Sequence, residues 1–167
     1  MKEMTKTFLQ EAFAGESQAH MRYLAFADAA EREGLQNVAR FFKAASYSEQ
    51  KHATAHLRAL GGIGTTADNL RAAFGGESFE IAEMYPAYSS VAQLQEEKAA
   101  FTSMQRALEA EKVHAKIYSA AGQAVETKKD LDLKDIFVCE VCGFTMEGTA
   151  PDNCPVCGAS NSRFRKF

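Results

Sequence analysis

Two Glu-x-x-His pairs, Glu49/His52 and Glu111/His114, stand 62 residues apart in this chain. Each trails a Phe-(Ala/Gly)-Gly-Glu-Ser segment, Phe13–Ser17 before the first pair and Phe74–Ser78 before the second. Glu16 to Glu49 is 33 residues and Glu77 to Glu111 is 34, so motif and spacing are both duplicated. Residues i and i+3 lie on one side of a helix, so in each pair the carboxylate can bridge two metal ions while the imidazole binds one of them. Glu16 and Glu77 each add a lone carboxylate from a further helix. A Glu from each of two helices and a Glu-x-x-His from each of two others is the ligand set of a di-iron carboxylate site in a helix bundle. A single Glu-x-x-His is a common accident of solvated helix faces; two copies at matched spacing are not. Mixed carboxylate and imidazole ligation suits iron or manganese better than calcium, which prefers oxygen alone.

A second constellation occupies the C-terminal end. Cys139-Glu140-Val141-Cys142-Gly143 and Cys154-Pro155-Val156-Cys157-Gly158 are two C-x-x-C-Gly turns, and they contain all four cysteines of the chain. In such a turn the glycine supplies a positive φ and backbone N–H groups reach the sulfurs. Four thiolates make a closed tetrahedral site, the kind of staple that a module of fewer than about 40 residues usually needs. A tetrahedral four-sulfur site accepts zinc or iron, so a structural zinc ribbon stands beside a one-electron iron centre. Attached to a redox-active bundle, the iron centre makes more functional sense.

These ligands require helices to carry them, and four segments show the 3.6-residue apolar period. The first runs from about Lys2 to Glu33 and stops at Gly34, a C′ glycine. The second starts near Leu35 or Gln36 and ends at Gly61-Gly62. Thr66 is the expected N-cap of the third. The third must break from the fourth within 89–97, because an unbroken helix would hold Glu80 and Glu111 roughly 46 Å apart. The stripes read Leu9, Ala12, Phe13, Glu16, Ala19, Tyr23, Ala27; then Val38, Phe41, Phe42, Ala45, Glu49, His52. Helix three gives Leu70, Ala73, Phe74, Glu77, Ile81, Met84 with Glu80 alongside, and helix four gives Phe101, Met104, Leu108, Glu111, Ala115, Tyr118. Each helix therefore puts ionisable groups where its pattern calls for core, without a matching set of Lys and Arg. Burying five carboxylates unpartnered is prohibitive, and metal is the economical partner. Pro86 has no N–H, frees the carbonyl of Ala82 and should kink the third helix near the site.

With 167 residues, 46% hydrophobic content and a net charge of -3, the chain has room for one bundle and a small module and offers no electrostatic case for nucleic acid or an anionic membrane. No apolar run approaches the roughly 20 residues that cross a bilayer. Met1-Lys2-Glu3-Met4 leads into amphipathic sequence, so no secretory signal is read and a reducing cytoplasm is the expected location. The fold class expected is mainly α: residues 1–125 a ferritin-like di-iron four-helix bundle, 126–135 a charged linker, and 136–167 a small metal-stapled β module with Ile136-Phe137-Val138 as its first strand. No Gly-x-Gly-x-x-Gly segment is present, so nicotinamide is not bound by that route and a partner reductase is needed.

At Phe13-Ala14-Gly15-Glu16-Ser17-Gln18-Ala19 with Arg22-Tyr23, and at Glu77-Ser78-Phe79-Glu80-Ile81-Ala82-Glu83-Met84-Tyr85-Pro86, the chain resembles the rubrerythrin family of ferritin-like proteins. Its cysteine module resembles the rubredoxin domain that ends them. The resemblance implies that Glu16, Glu49, His52, Glu77, Glu80, Glu111 and His114 hold two iron ions and that Cys139, Cys142, Cys154 and Cys157 hold a third, with zinc possible there in recombinant protein. It further implies that Glu80 and His52 exchange as ligands during the redox cycle and that Tyr23 and Tyr85 hydrogen-bond near the site. His20 stands where the family motif commonly carries Arg. His20 and His56 are read as solvent-facing or adjacent to ligands, and Glu83 as off the metal. The activity implied is a peroxidase that reduces hydrogen peroxide to water and protects against oxidative stress. Its electrons would come through the tetrathiolate iron from an external NAD(P)H-linked reductase or rubredoxin. An iron-oxidising storage protein and a non-enzymatic zinc-ribbon interaction protein are the competing readings. A homodimer or larger homo-oligomer is expected. Glu111 lies about ten residues before an expected helix end near Gln123, roughly 15 Å along the axis. On that ground, and because the resemblance implies a dimer with its domains paired head to tail, the tetrathiolate iron is expected to serve the di-iron site of a neighbouring chain.

Overall fold

The computed structural model describes residues 1–167, which form two compact units, Met1–Gly64 and Thr65–Phe167. The helices are those of a ferritin-like bundle, and a three-stranded antiparallel module completes the chain.

The first unit is a helical hairpin of α1 (Glu3–Arg32) and α2 (Gln36–Ala59). Gly34, at φ +79°, turns the chain where the sequence requires a left-handed residue. The Leu35 N–H reaches back to the Ala30 carbonyl at 2.8 Å, and the Gly34 N–H to that of Glu31 at 3.0 Å. The seam is made of small residues: Ala19, Ala27, Ala30, Ala39, Ala53 and Ser46 are buried. Val38 and Phe41, expected in the core stripe, are instead exposed, Phe41 by 71%, as is Phe74 in the second unit. A two-helix hairpin has one mutual face, and here alanines fill it. An apolar stripe wider than that seam leaves its flanking large side chains uncovered.

The second unit opens with α3 (Thr66–Phe79). The N-cap is Thr65, one residue before the expected Thr66. Its hydroxyl accepts from the Asp68 N–H while Asp68 accepts from the Thr65 N–H, a reciprocal capping box. The kink expected at Pro86 takes the form of a π-helical turn, Glu80–Met84, in which the Tyr85 N–H bonds the Glu80 carbonyl. The wider turn lies directly upstream of the proline ring, where the missing N–H interrupts the regular α-helical pattern. Then α4 (Tyr85–Leu94) ends and α5 (Lys98–Glu126) begins, a break inside the 89–97 window. Glu96 occupies the left-handed position at φ +58°, and the Glu97 N–H closes on the Ala92 carbonyl at 2.9 Å. The same geometry that Gly34 makes is held here by a glutamate, which left no glycine in the sequence to mark it. Gln105 of α5 donates to the Ser89 hydroxyl of α4 at 2.9 Å.

α5 runs three residues past the expected end near Gln123. Beyond 127–135 lie β1 (Ile136–Cys139), β2 (Thr145–Glu147) and β3 (Phe164–Lys166), in the order β2-β1-β3. Val138 pairs with Thr145 on one side, and Cys139 with Phe164 on the other. No helix is long and apolar enough to cross a membrane.

Candidate metal centres

The duplicated motif produces duplicated geometry. In the first unit Glu16 on α1 and Glu49 and His52 on α2 bring their ligand atoms within 4.8 Å of one another. His52 Nδ1 lies 2.7 Å from Glu49 Oε2 and 4.0 Å from Glu16 Oε1. In the second, Glu77 on α3 and Glu111 and His114 on α5 form the matching cluster, with His114 Nδ1 at 2.6 Å from Glu111 Oε2 and 3.9 Å from Glu77 Oε1. Both imidazoles turn Nδ1 toward carboxylates, the orientation in which a shared cation replaces the proton between them. One helix pair supplies three ligand atoms each time, because i and i+3 share a side and the lone Glu faces them across the pair.

The second cluster sets carboxylates close enough to oppose one another's ionisation. Burial, a hydrogen bond and repulsion from Glu111, and the neighbouring Glu80 push the Glu77 carboxyl up to about 7. Glu80 hydrogen-bonds Glu77, and burial together with the Glu111 charge raises its own pKa. Burial raises the Tyr85 pKa, and the charges of Glu80, Glu111 and Glu77 add to the shift. Carboxylates that resist ionising side by side are what a divalent pair neutralises, so the donor set fits iron. Tyr23 sits in an aromatic cluster of the hairpin, 6.2 Å from Phe26 and 6.1 Å from Phe42 between ring centroids. Glu83 is exposed.

All four cysteine sulfurs converge within 4.8 Å, and none is in a disulfide. Cys139 and Cys157 are 3.7 Å apart and Cys142 and Cys154 3.6 Å. Metal–sulfur bonds of about 2.3 Å in a tetrahedron require sulfur–sulfur edges of about 3.8 Å, so the cage is already sized for the ion. The two turns are built alike: the Gly143 N–H bonds the Cys139 carbonyl at 2.8 Å, and that of Gly158 bonds the Cys154 carbonyl at 2.9 Å. Burial pushes the Cys142 thiol up to about 12. Burial acts the same way on Cys154, but N–H donors from Cys157 and Val156 and the adjacent thiols bring it down to about 7. Cys139 and Cys154 are buried, while Cys142 and Cys157 are half-buried.

Two polar contacts had no signature in the sequence. His20 donates from Nδ1 to the Ser46 carbonyl at 2.9 Å, and the Ser46 hydroxyl donates to the His20 carbonyl at 2.9 Å, tying α1 to α2. His20 is thus a hairpin tie rather than a solvated side chain. The other contact is His114 Nε2 with the Thr145 hydroxyl, at 2.8 Å, which joins α5 to the cysteine module of the same chain. Within the chain, the ligand that the module touches is its own His114. Folding back is physically easy. From His114 to the end of α5 is about 18 Å at 1.5 Å per residue, and nine extended residues can span about 30 Å. Nothing in the spacing relates 145 to 114. The one available signal was a hydroxyl two residues after a metal turn.

Comparison with known proteins agrees with both centres. A family profile described as Rubrerythrin matches residues 7–122, and one described as Rubrerythrin, rubredoxin-like domain matches 137–165. Rubrerythrin-2 of Clostridium acetobutylicum is 41% identical over 98% of this chain and 97% of its own length. The rubrerythrin of Porphyromonas gingivalis is 32% identical over 96% of this chain and 88% of its own. Among solved structures, fully reduced, all-ferrous nigerythrin aligns with a TM-score of 0.55 and 29% identity, covering 98% of this chain and 86% of that one.

Proposed function

This chain belongs to the rubrerythrin family, a di-iron oxidoreductase with a rubredoxin-like tetrathiolate iron centre, and from that premise we propose that it is a hydrogen peroxide reductase. The iron supplies the electrons that convert one peroxide, with two protons, to two waters. The chain's own residues set the terms. Glu16, Glu49 and His52 would hold metal in the first unit, and Glu77, Glu111 and His114 in the second. Glu80, a further carboxylate in the same unit as Glu77, would be a ligand in reserve and would exchange with His52 if iron were bound and its charge changed. Tyr85, whose ionisation is opposed by burial and by the charges of Glu80, Glu111 and Glu77, would serve as a proton donor. Tyr23 is assigned the matching role on the hairpin.

One observation carries the reading: the four-cysteine module is hydrogen-bonded to a di-iron ligand, Thr145 to His114. An iron-storage protein would leave that contact, the reserve carboxylate and the thiolate centre without employment. Electrons enter from outside at the half-buried Cys142 and Cys157 edge, delivered by a rubredoxin or an NAD(P)H-linked reductase. The exposed apolar side chains, Phe8 and Phe41 on the hairpin and Phe74 and Phe79 in the second unit, support a homo-oligomer, at least a dimer, as the working form. Residues 1–125 and 136–167 are proposed as the bundle and module domains, and a reducing cytoplasm as the location.

The test is peroxide consumption by the iron-loaded protein with a reductase, NADH and a rubredoxin present. Turnover with NADH and peroxide consumed one to one supports the reading. Iron oxidation that ends in mineral deposition, with no NADH consumed, supports storage instead.

A further inference from the structure

Thr145 is the first residue of β2 and is only 7% exposed, yet it carries a hydroxyl. That hydroxyl has two partners: Nε2 of His114 at 2.8 Å and the backbone carbonyl of Gly143 at 3.2 Å. A carbonyl can only accept, so the single hydroxyl proton of Thr145 goes to Gly143, and its oxygen then accepts from His114 Nε2–H. With its one neutral-state proton on Nε2, the imidazole presents an unprotonated Nδ1, and Nδ1 is the atom that faces Glu111 and Glu77. The other end of the contact is equally defined. Gly143 follows Cys142 directly, and its own N–H bonds the Cys139 carbonyl, so the carbonyl that Thr145 holds belongs to the first cysteine turn. The register Val138↔Thr145 fixes the hydroxyl there through the sheet.

We propose that Thr145 is a positioning residue that couples the two metal centres of one chain. It sets the metal-binding tautomer of His114 and anchors the first cysteine turn to α5. His52, the counterpart in the other cluster, meets Glu49 and Glu16 through Nδ1, and its side chain is 53% exposed against 31% for His114. The coupling part rests on the electron-relay reading above; the tautomer part does not. The step served moves one electron: the ferrous thiolate centre is oxidised to ferric and one ferric ion of the pair is reduced, with no net proton gained or lost at Thr145.

The test compares full-length Thr145→Val, which keeps the shape and removes the hydroxyl, with Thr145→Ser, which restores it. Two quantities are read. The first is the rate at which a ferrous chelator strips the bundle iron. The second is the rate at which the thiolate-to-iron charge-transfer band develops after the reduced protein's di-iron centre is oxidised by one equivalent of peroxide. Removing a hydrogen-bond partner of a metal-bound histidine typically costs about tenfold to a hundredfold in metal affinity or activity, so Thr145→Val is expected to give up its bundle iron at least about tenfold faster and to develop the band at least about tenfold more slowly. Thr145→Ser should return both to within about threefold of the parent. The band's position in the ferric protein should be unchanged in both variants, which reports an intact module. Parent-like iron retention and band kinetics in Thr145→Val overturn the proposal, as does a serine variant as impaired as the valine one. If the parent itself shows no internal transfer, the relay reading is overturned, and iron retention alone then decides the tautomer claim.

Discussion

The two Glu-x-x-His clusters have the same ligands at nearly the same distances, yet their surroundings differ. Around Glu16, Glu49 and His52 the hairpin provides an alanine seam and an exposed imidazole. Around Glu77, Glu111 and His114 the second unit adds a further carboxylate, a tyrosine, a π-helical turn and a threonine from the cysteine module. The ligand set was duplicated; the control over it was not. Metal binding needs only the repeated part. Redox cycling needs a reserve ligand, a proton donor and a route for electrons, the parts proposed above for Glu80, Tyr85 and the Thr145 contact, all in the second unit.

Removing the electron route should have the largest effect. Cys142→Ala is expected to lower steady-state peroxide turnover by about a hundredfold or more while the diferrous protein still reacts once with peroxide, a split that separates supply from chemistry. Stopped-flow oxidation beside coupled NADH consumption checks it, and parent-like turnover would remove the module from the pathway. Deleting 136–167 should give the same split. It also exposes His114 Nε2, so the truncated protein should release iron faster than Cys142→Ala does.

The next test sets the clusters against each other. His114→Ala should lose more iron than His52→Ala, by about tenfold, because it also breaks the Thr145 contact. Equal losses, measured by metal content after gel filtration, would make the asymmetry cosmetic. Glu80→Ala should retain nearly full iron but slow oxidation by peroxide by about tenfold, since the six clustered ligands remain. Unchanged kinetics at full loading would take Glu80 out of the cycle.

The smallest effect concerns the metal-free protein. The folded pKa of Glu77, about 7, is raised from an ordinary 4.5, so the folded state holds this proton more tightly than the unfolded one. Its contribution to apo stability is complete below about 4.5 and is lost as pH rises through about 7. Iron binding requires the ionised form, so loading should remove the trend. Thermal melts of apo protein and of Glu77→Gln between about pH 4.5 and about pH 7.5 test this, and parallel curves would contradict it.

The repeat was legible because metal chemistry forces residue types into fixed spacings: Glu16, Glu49, His52 and their counterparts, and the two cysteine turns, could be read directly. Gly34 announced its turn by the conformation only glycine adopts cheaply. Glu96 makes the same turn with a side chain that disguises it, so that break followed from distance alone. Phe41 looked like core because its helix is amphipathic, but periodicity cannot say whether a partner covers the stripe. Thr145 and Ser46 were invisible because a hydroxyl bonding across 31 or 26 residues leaves no local pattern.

The most direct measurement of the whole account is a single-turnover experiment on the fully reduced protein, with every iron site ferrous, mixed with one equivalent of peroxide. The account predicts two phases. Di-iron oxidation comes first; the thiolate-to-iron charge-transfer band then rises as the tetrathiolate centre gives up its electron inside the protein. A di-iron centre that oxidises while the tetrathiolate iron stays ferrous, with the band absent until a second oxidant is added, would contradict it.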